Sequence, residues 1–131
     1  MADSNITKRA LAAALKELME QKPFSKINVA EICEKCGMNR KSFYYHFKDK
    51  YDLVNWIFDM DFAKVLEAHE KKDYFTWPFL EALCECFYEN RCFYRKALKI
   101  REQNCLIDHY REKLEPFMQA GMRKILHETE Y

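Results

Sequence analysis

The chain has few of the residues that interrupt helices. Its 131 residues include only 2 glycines and 3 prolines, a scarcity that favours long helices and argues against a turn-rich β fold. No uninterrupted apolar run of about 18 residues occurs, so the sequence predicts no membrane span. The N-terminus, MADSNITKR, lacks the apolar segment of a secretory signal, and we therefore expect a cytoplasmic protein.

A strong net charge is also missing, since 22 Lys and Arg face 21 Asp and Glu. The charge is nevertheless uneven along the chain. Residues 1–56 hold 10 basic and 7 acidic residues, whereas residues 57–131 hold 12 and 14. A basic N-terminal part on an acidic remainder fits a DNA-binding head on a body with another role. Hydrophobic residues make up 49% of the chain, which excludes intrinsic disorder.

The six cysteines include one closely spaced pair, Cys33 and Cys36. A structural zinc site needs about four ligands, and the next cysteine lies 48 residues further on. We therefore interpret the pair as small apolar residues of a helix, and we expect free thiols, no metal and no cofactor. A catalytic role for the pair with His46 would need a nucleophile, a base and an orienting group within reach of one another. The pattern does not supply them, and we predict no catalytic residue and no enzymatic activity.

Residues 28–50, NVAEICEKCGMNRKSFYYHFKDK, carry the clearest functional pattern. Asn28 with Glu31 predicts a capped helix, and Gly37 is placed to end it in the left-handed conformation. Asn39 can cap a second helix that carries a basic first turn and several aromatic residues. Two short helices joined by a tight glycine turn are typical of a helix-turn-helix, whose second helix enters the major groove of DNA.

On these residues, the chain resembles TetR-family transcriptional regulators over residues 6–57. The family pattern has a Thr-Val start, an Ile-Ala helix, Ala-Gly-Val at the turn and Leu-Tyr-x-x-Phe-x-x-Lys-x-x-Leu after it. This chain reads Asn28-Val29, Ile32-Cys33, Cys36-Gly37-Met38, FYYHFKDK over residues 43–50, and Leu53. Asn28 and Lys41 replace the family's usual Thr and Gly where members touch DNA, so the operator sequence is not carried over.

The resemblance implies an all-α protein with a three-helix head that contains the helix-turn-helix, followed by a helical regulatory body. We expect a DNA-binding domain over residues 1–50 and a ligand-binding domain over residues 51–131. The implied function is that of a ligand-responsive regulator, most often a repressor, that binds a double-stranded DNA operator as a homodimer. The candidate DNA-binding residues are Asn28, Asn39, Arg40, Lys41, Ser42, Tyr44, Tyr45, His46 and Lys50. Of the two tyrosines, Tyr44 also resembles a family residue that packs in the head.

Apolar periodicity predicts the remaining helices. The first runs from about Asn5 to Gln21, and the fourth from near Asp49 or Lys50 to about Lys71. The fifth runs from Thr76 or Asp73 to Asn90, the sixth over about 92–101 and the seventh over about 106–127. The predicted head core is Leu11, Leu15, Leu18, Phe24, Ile27, Ile32, Cys36, Phe43 and Phe47. The predicted stripe of the fifth helix is Trp77, Leu80, Leu83, Cys84, Phe87 and Tyr88. Candidate ligand-binding residues in the body are Trp77, Phe87, Tyr94, His109 and Met118, each of which also fits a helical core.

Residues 90–117 resemble the body of the subgroup that regulates dihydroxyacetone kinase operons, through Phe93-Tyr94, Ala97-Leu98 and Gln103-Asn104. Family members usually run well beyond 131 residues, and their last two helices form the dimer interface. We therefore expect either a truncated chain or a short variant that dimerises differently. The alternative function is a helical adaptor that has kept the fold and lost DNA binding, and salt-dependent binding to duplex DNA separates the two.

Overall fold

The computed structural model describes residues 2–69 and 74–128, and these residues form helices joined by short connections, without a β-strand. The helices are α1 (Ala2–Gln21), a 3₁₀ turn (Phe24–Lys26), α2 (Val29–Lys35), α3 (Arg40–His46), α4 (Lys50–Ala68), α5 (Trp77–Glu89), α6 (Arg91–Ala97) and α7 (Leu106–Glu128). The all-α prediction is therefore confirmed. The predicted end of the fourth helix at Lys71 and the alternative cap Asp73 lie outside the described residues.

The head consists of α1, α2 and α3, and its core is almost the predicted one. Every predicted core side chain is buried except Cys36, which is half-buried, whereas Cys33 is only 2% exposed. The prediction had the wrong cysteine because Cys36 follows the last residue of α2 as its C-cap, where helical spacing no longer directs the side chain into the core. The Cys33 side chain enters the core, while the Cys36 thiol lies beside the Ile32 carbonyl oxygen at 3.4 Å. Burial raises the pKa of both thiols.

The fourth helix joins the head to the body. At its start, the Phe47 ring meets Trp56 with centroids 5.9 Å apart. Further along, Phe62 packs edge-on against Phe79 of α5 and Phe117 of α7, at 5.4 and 5.7 Å. Buried side chains from α1 to α7 form one continuous cluster. The division of the chain at residue 50 therefore stays a prediction, because α4 contributes to both ends of that cluster.

The body differs from the sequence prediction in two elements. In α5 the buried residues are Phe79 and Leu83, whereas Trp77 and Tyr88 are 65% and 68% exposed. The predicted stripe was wrong at Trp77, Cys84 and Tyr88, which are exposed, and it missed Phe79. Apolar residues occur all around this helix, and periodicity alone cannot choose the buried face. The sixth helix ends at Ala97 instead of residue 101. The connection that follows holds Asn104 in the left-handed conformation, with φ at 66°.

The seventh helix continues through Pro116 and Gly121, although these residue types usually interrupt or weaken a helix. Pro116 lies inside α7, on its exposed side. Gly121 is buried against the Phe75 ring, and a Cβ atom at this position would overlap that ring. The glycine therefore permits a close approach of α7 to the segment before α5. Across the described part of the chain, no helix combines the length and the apolar character needed to cross a membrane.

Candidate nucleic-acid interface

Local hydrogen bonds fix the helix-turn-helix as the sequence predicts. The Asn28 side chain accepts from the Glu31 backbone N–H at 2.9 Å, and the Asn28 N–H donates to the Glu31 carboxylate at 3.3 Å. This reciprocal capping box starts α2. Gly37 then takes φ at +71°, which lets the chain turn sharply into α3. Asn39 caps α3 by accepting from the Ser42 N–H at 2.8 Å.

The outer face of α3 is basic and aromatic. Arg40 and Lys41 are exposed, and no acidic residue stands in the first turn of the helix. Positive charges at a helix N-terminus are opposed by the helix dipole by about 0.3–1 kcal/mol each. The Tyr45 side chain is 84% exposed. The positive charges of this surface suit an anionic partner. Its polar and aromatic side chains also suit hydrogen-bonding groups at the edges of flat rings on that partner.

Tyr44 is also on the outer face, contrary to the expectation that it packs in the head. Its side chain is 54% exposed, and only its ring edge touches Phe43, at 5.2 Å between centroids. The reason is helical phase. Phe43 and Phe47 already fill the inner face, with centroids 5.7 Å apart, and the next residue along α3 is turned about 100° away from Phe43. Tyr44 is therefore available to a partner.

The Lys50 side chain is turned inward, which differs from the DNA contact that the family resemblance implies for it. Its ammonium donates to the carbonyl oxygens of Phe24 and Ile27 at 2.9 and 2.8 Å. It also lies 4.3 Å from the centre of the Phe24 ring. Burial lowers the pKa of this ammonium, an effect that the nearby carboxylates of Glu102 and Glu31 oppose. In this arrangement the Lys50 side chain connects the start of α4 to the segment between α1 and α2. Its ammonium group forms its contacts inside the head.

The remaining candidates divide between capping and surface roles. Asn28 and Asn39 are exposed, although their side-chain oxygens cap helices, and Ser42 is half-buried. His46 is half-buried at the end of α3, with Nδ1 3.4 Å from the Ser4 hydroxyl. The structure thus brings eight of the nine predicted residues onto α2 and α3 or their caps, with Lys50 engaged elsewhere.

The five candidate ligand residues of the body do not meet in one site. Trp77 is exposed, and Met118 lines an apolar cleft of about 370 Å³ between α5 and α7. Phe87 and Tyr94 are in contact, with ring centroids 4.8 Å apart, and the Tyr94 hydroxyl donates to Asp61 at 2.5 Å. Burial, together with the Asp61 carboxylate, raises the pKa of Tyr94. His109 lies 2.7 Å from Asp59, and its ring contacts Phe58, which also contacts Phe87, with centroids 6.2 and 6.3 Å apart.

Sequence reasoning missed a polar cluster between head and body. Asn55 and Asp59 of α4 lie there with Asn104 and His109. Asn55 is only 4% exposed, and it interrupts the apolar sequence LVNWIF. A single polar residue inside such an apolar run is the sequence signal from which this cluster could have been predicted.

A glycine turn between two capped helices, with the second helix exposing basic and aromatic side chains, defines a helix-turn-helix protein. Residues 8–57 match the family model described as "Bacterial regulatory proteins, tetR family". This match places residues 8–57 of the chain in the tetR family of bacterial regulatory proteins. Members of this family are regulators of transcription, not enzymes.

Two comparisons extend the similarity into the body. The chain is 34% identical over 101 residues to the HTH-type dhaKLM operon transcriptional activator DhaS of Lactococcus lactis subsp. lactis (strain IL1403). That match covers 76% of this chain and 53% of the relative, so the chain spans about half the length of that relative. The fold of this chain is similar to that of a solved structure named Dihydroxyacetone kinase operon activator DhaS, with a TM-score of 0.67 and 27% sequence identity. This second match covers 96% of the chain and 70% of the solved structure.

Proposed function

We propose that this protein is a sequence-specific DNA-binding regulator of transcription that reads the major groove with α3. The observation that carries the proposal is the exposed set Arg40, Lys41, Tyr44 and Tyr45 on one short helix held by a capped glycine turn. The match to the tetR family model and the similarity to the activator DhaS support it. A helix-turn-helix presents its second helix to DNA in this way.

The side chains of α3 would make different DNA contacts according to their positions on the helix. Arg40 and Lys41, at the N-terminal end, would reach base edges or phosphates, where anionic groups offset their unfavourable position on the helix dipole. Tyr44 and Tyr45 would donate hydroxyl hydrogen bonds to phosphate and pack against the sugar and base edges. His46, Ser42, Asn28 and Asn39 would contribute at the border of the interface, with Asn28 and Asn39 holding the helices at the same time.

The proposal also covers regulation: dimerisation, binding of an effector, and whether the protein activates or represses transcription. One head covers only a few base pairs, so recognition of an operator favours a homodimer. Contacts of α4 at both ends offer a path from body to head: Phe47 with Trp56 near the head, and Phe62 with Phe79 in the body. A small molecule bound in the body would then change DNA affinity, and DNA would change the affinity for that molecule equally. The family resemblance predicts repression. The curated relative and the solved structure, however, both carry the name DhaS and are called activators, which favours activation for this chain.

The experiment is selection from random duplex DNA, followed by a reporter placed behind the selected sequence. The wild type should enrich one motif, and Arg40→Ala with Lys41→Ala should lose the enrichment. Arg95→Ala with Lys99→Ala is the matched control, because it removes the same two charge types from exposed positions outside the helix-turn-helix. Failure of the wild type to bind any duplex would support the adaptor alternative and overturn the proposal. The sign of the reporter change decides between repression and activation.

A further inference from the structure

The ammonium group of Lys50 joins two segments of the head that are far apart in the sequence. It donates to the carbonyl oxygens of Phe24 and Ile27, which lie 26 and 23 residues earlier in the chain. These two carbonyls flank Lys26, in the short connection that leads into α2. The start of α4 is therefore fixed beside the start of α2. This contact brings Lys26 and Lys48, which comes two residues before Lys50, to the same end of the head.

The side chains of Lys26 and Lys48 differ from other lysines of the head because the protein does not engage them. Lys22 and Lys35 form ion pairs with glutamates, and Lys50 donates to carbonyl oxygens inside the head. Lys26 and Lys48 are both exposed, and among the described residues neither has an ion-pair partner or an aromatic ring beneath its ammonium group. Their charges are therefore available to a partner outside the head.

The carboxylates closest to Lys48 in the chain fix the backbone of this segment. Asp49 caps α4 by accepting from the Asp52 N–H at 2.8 Å, and Asp52 accepts from the Lys48 N–H at 3.0 Å. Both carboxylates thus hold the turn between α3 and α4 through backbone donors. The turn places Lys48 directly after α3 and leaves its ammonium group unpaired.

Both lysines border the helix that we propose to read DNA. Lys48 comes two residues after His46, the last residue of α3, and Lys26 comes two residues before Asn28, the cap of α2. In a helix-turn-helix on DNA, the second helix lies in the major groove and the first helix crosses the backbone. The 7 residues of α3 span about 10 Å, close to the roughly 12 Å width of the major groove. With the N-terminal end of α3 in the groove, the two lysines lie at the level of the phosphates at its edge.

We propose that Lys26 and Lys48 form a two-lysine clamp that binds phosphates of one DNA strand beside the groove that α3 enters. The clamp replaces the DNA contact that the family resemblance implies for Lys50. This inference rests on the proposed DNA-binding function and adds the residues that hold the backbone. Phosphate contacts fix the register of a protein on the duplex without reading its sequence. Lysine suits this role because its compact charge binds phosphate without a fixed geometry.

The test measures affinity for a selected duplex over a range of salt concentrations. Lys26→Met with Lys48→Met keeps the apolar stems and removes both charges. Each lost phosphate contact should make the slope of log affinity against log salt shallower by about 0.9, or about 1.8 for the pair. Between about 50 and 200 mM salt, the wild type should therefore lose roughly tenfold more affinity than the variant. Lys64→Met with Lys99→Met, at two exposed positions outside the helix-turn-helix, is the matched control and should keep the wild-type slope.

Two further measurements separate a phosphate contact from base reading and from a loss of stability. The clamp variant should enrich the same motif as the wild type from random duplex DNA. Its affinity should fall by the same factor for the selected duplex and for a random one, because the phosphates are alike in both. Its thermal melt should match that of the wild type, since both side chains are exposed. If the methionine pair does not fold, Lys26→Gln with Lys48→Gln replaces it.

A footprint on the wild type needs no variant. Lysines are acetylated with acetic anhydride in the free protein and in the complex with the selected duplex, and the modified positions are read by mass spectrometry. DNA should slow acetylation at Lys26 and Lys48. It should leave the rates at Lys64 and Lys99 unchanged.

An unchanged salt slope in the folded clamp variant would overturn the proposal, and so would equal acetylation of the two lysines with and without DNA. A changed motif would overturn it as well, since it would make these residues readers of base sequence. In each of these outcomes the wild type still binds its duplex, and the proposed function is unaffected. A wild type that binds no duplex would overturn the proposed function, and this inference with it.

Discussion

Replacing Lys50 by methionine should destabilise the protein, because the structure places this ammonium inside the head. The substitution keeps most of the apolar stem and removes the charge. It takes away two hydrogen bonds, to Phe24 and Ile27, and the contact with the Phe24 ring. Lys48→Met is the matched control, since Lys48 is an exposed lysine two residues away.

The magnitude follows from the contacts. Hydrogen bonds to a charged group contribute about 1.5–3 kcal/mol each, or roughly 3–6 kcal/mol for the two. Desolvation of the ammonium offsets part of this contribution, consistent with the lowered pKa of Lys50. The Phe24 carbonyl also keeps one partner, the Ile27 N–H at 3.0 Å. We therefore expect the free energy of unfolding to fall by about 2–3 kcal/mol for Lys50→Met and by less than about 0.5 kcal/mol for Lys48→Met.

Urea denaturation followed by far-ultraviolet circular dichroism measures this difference. With a typical slope of about 2 kcal/mol per molar, the midpoint of Lys50→Met should fall by roughly 1–1.5 M. DNA binding is measured in parallel where both variants are folded. A Lys50→Met variant with wild-type stability, weaker DNA binding and a shallower salt dependence would refute the reasoning, since it would mean that the ammonium reaches phosphate as the sequence suggests.

Three further changes test the fold. Phe43→Ala removes a side chain that is 0% exposed, and it should lower the free energy of unfolding by about 3–5 kcal/mol, as measured by urea denaturation; wild-type stability with loss of DNA binding would place the ring in the groove instead. Gly121→Ala should cost about 1–3 kcal/mol because its Cβ overlaps the Phe75 ring, and a thermal melt equal to that of the wild type would contradict this close approach. The hydrogen bond from Lys22 is the chief cause that lowers the pKa of Glu31 in the native state. The ionised carboxylate therefore stabilises the native state at a pH above 4.5, its ordinary pKa, and this stability is lost as the pH falls through the lowered pKa. Glu31→Gln should therefore flatten the acid side of a stability–pH curve, and an unchanged curve would show that the pair contributes nothing.

Local chemistry was predictable from the sequence. Asn28, Asn39 and Thr76 cap helices through residues at most three positions away, and Gly37 ends α2 for a backbone reason that involves no distant contact. Such features depend only on neighbouring residues, which the sequence shows directly.

Contacts between distant residues were not predictable in the same way. Lys50 finds its acceptors 23 and 26 residues earlier in the chain, and Asn55 meets Asn104 49 residues later. The buried face of α5 is set by Phe62 and Phe117, neither of which lies on that helix. Where a helix is apolar on several sides, its partners decide the phase, and the pattern of the helix alone does not.

The central claim is that α3 binds DNA through its basic outer face, and the salt dependence of duplex binding tests it most directly. Affinity for a selected duplex is measured over a range of salt concentrations for the wild type, for Arg40→Ala with Lys41→Ala, and for the control pair Arg95→Ala with Lys99→Ala. The account predicts weaker binding for the α3 pair, by about 1–3 kcal/mol for each base-contacting side chain, and a slope shallower by about one unit for each phosphate-contacting cation. The control pair should match the wild type in both. A salt slope and affinity unchanged by the α3 pair would contradict the account.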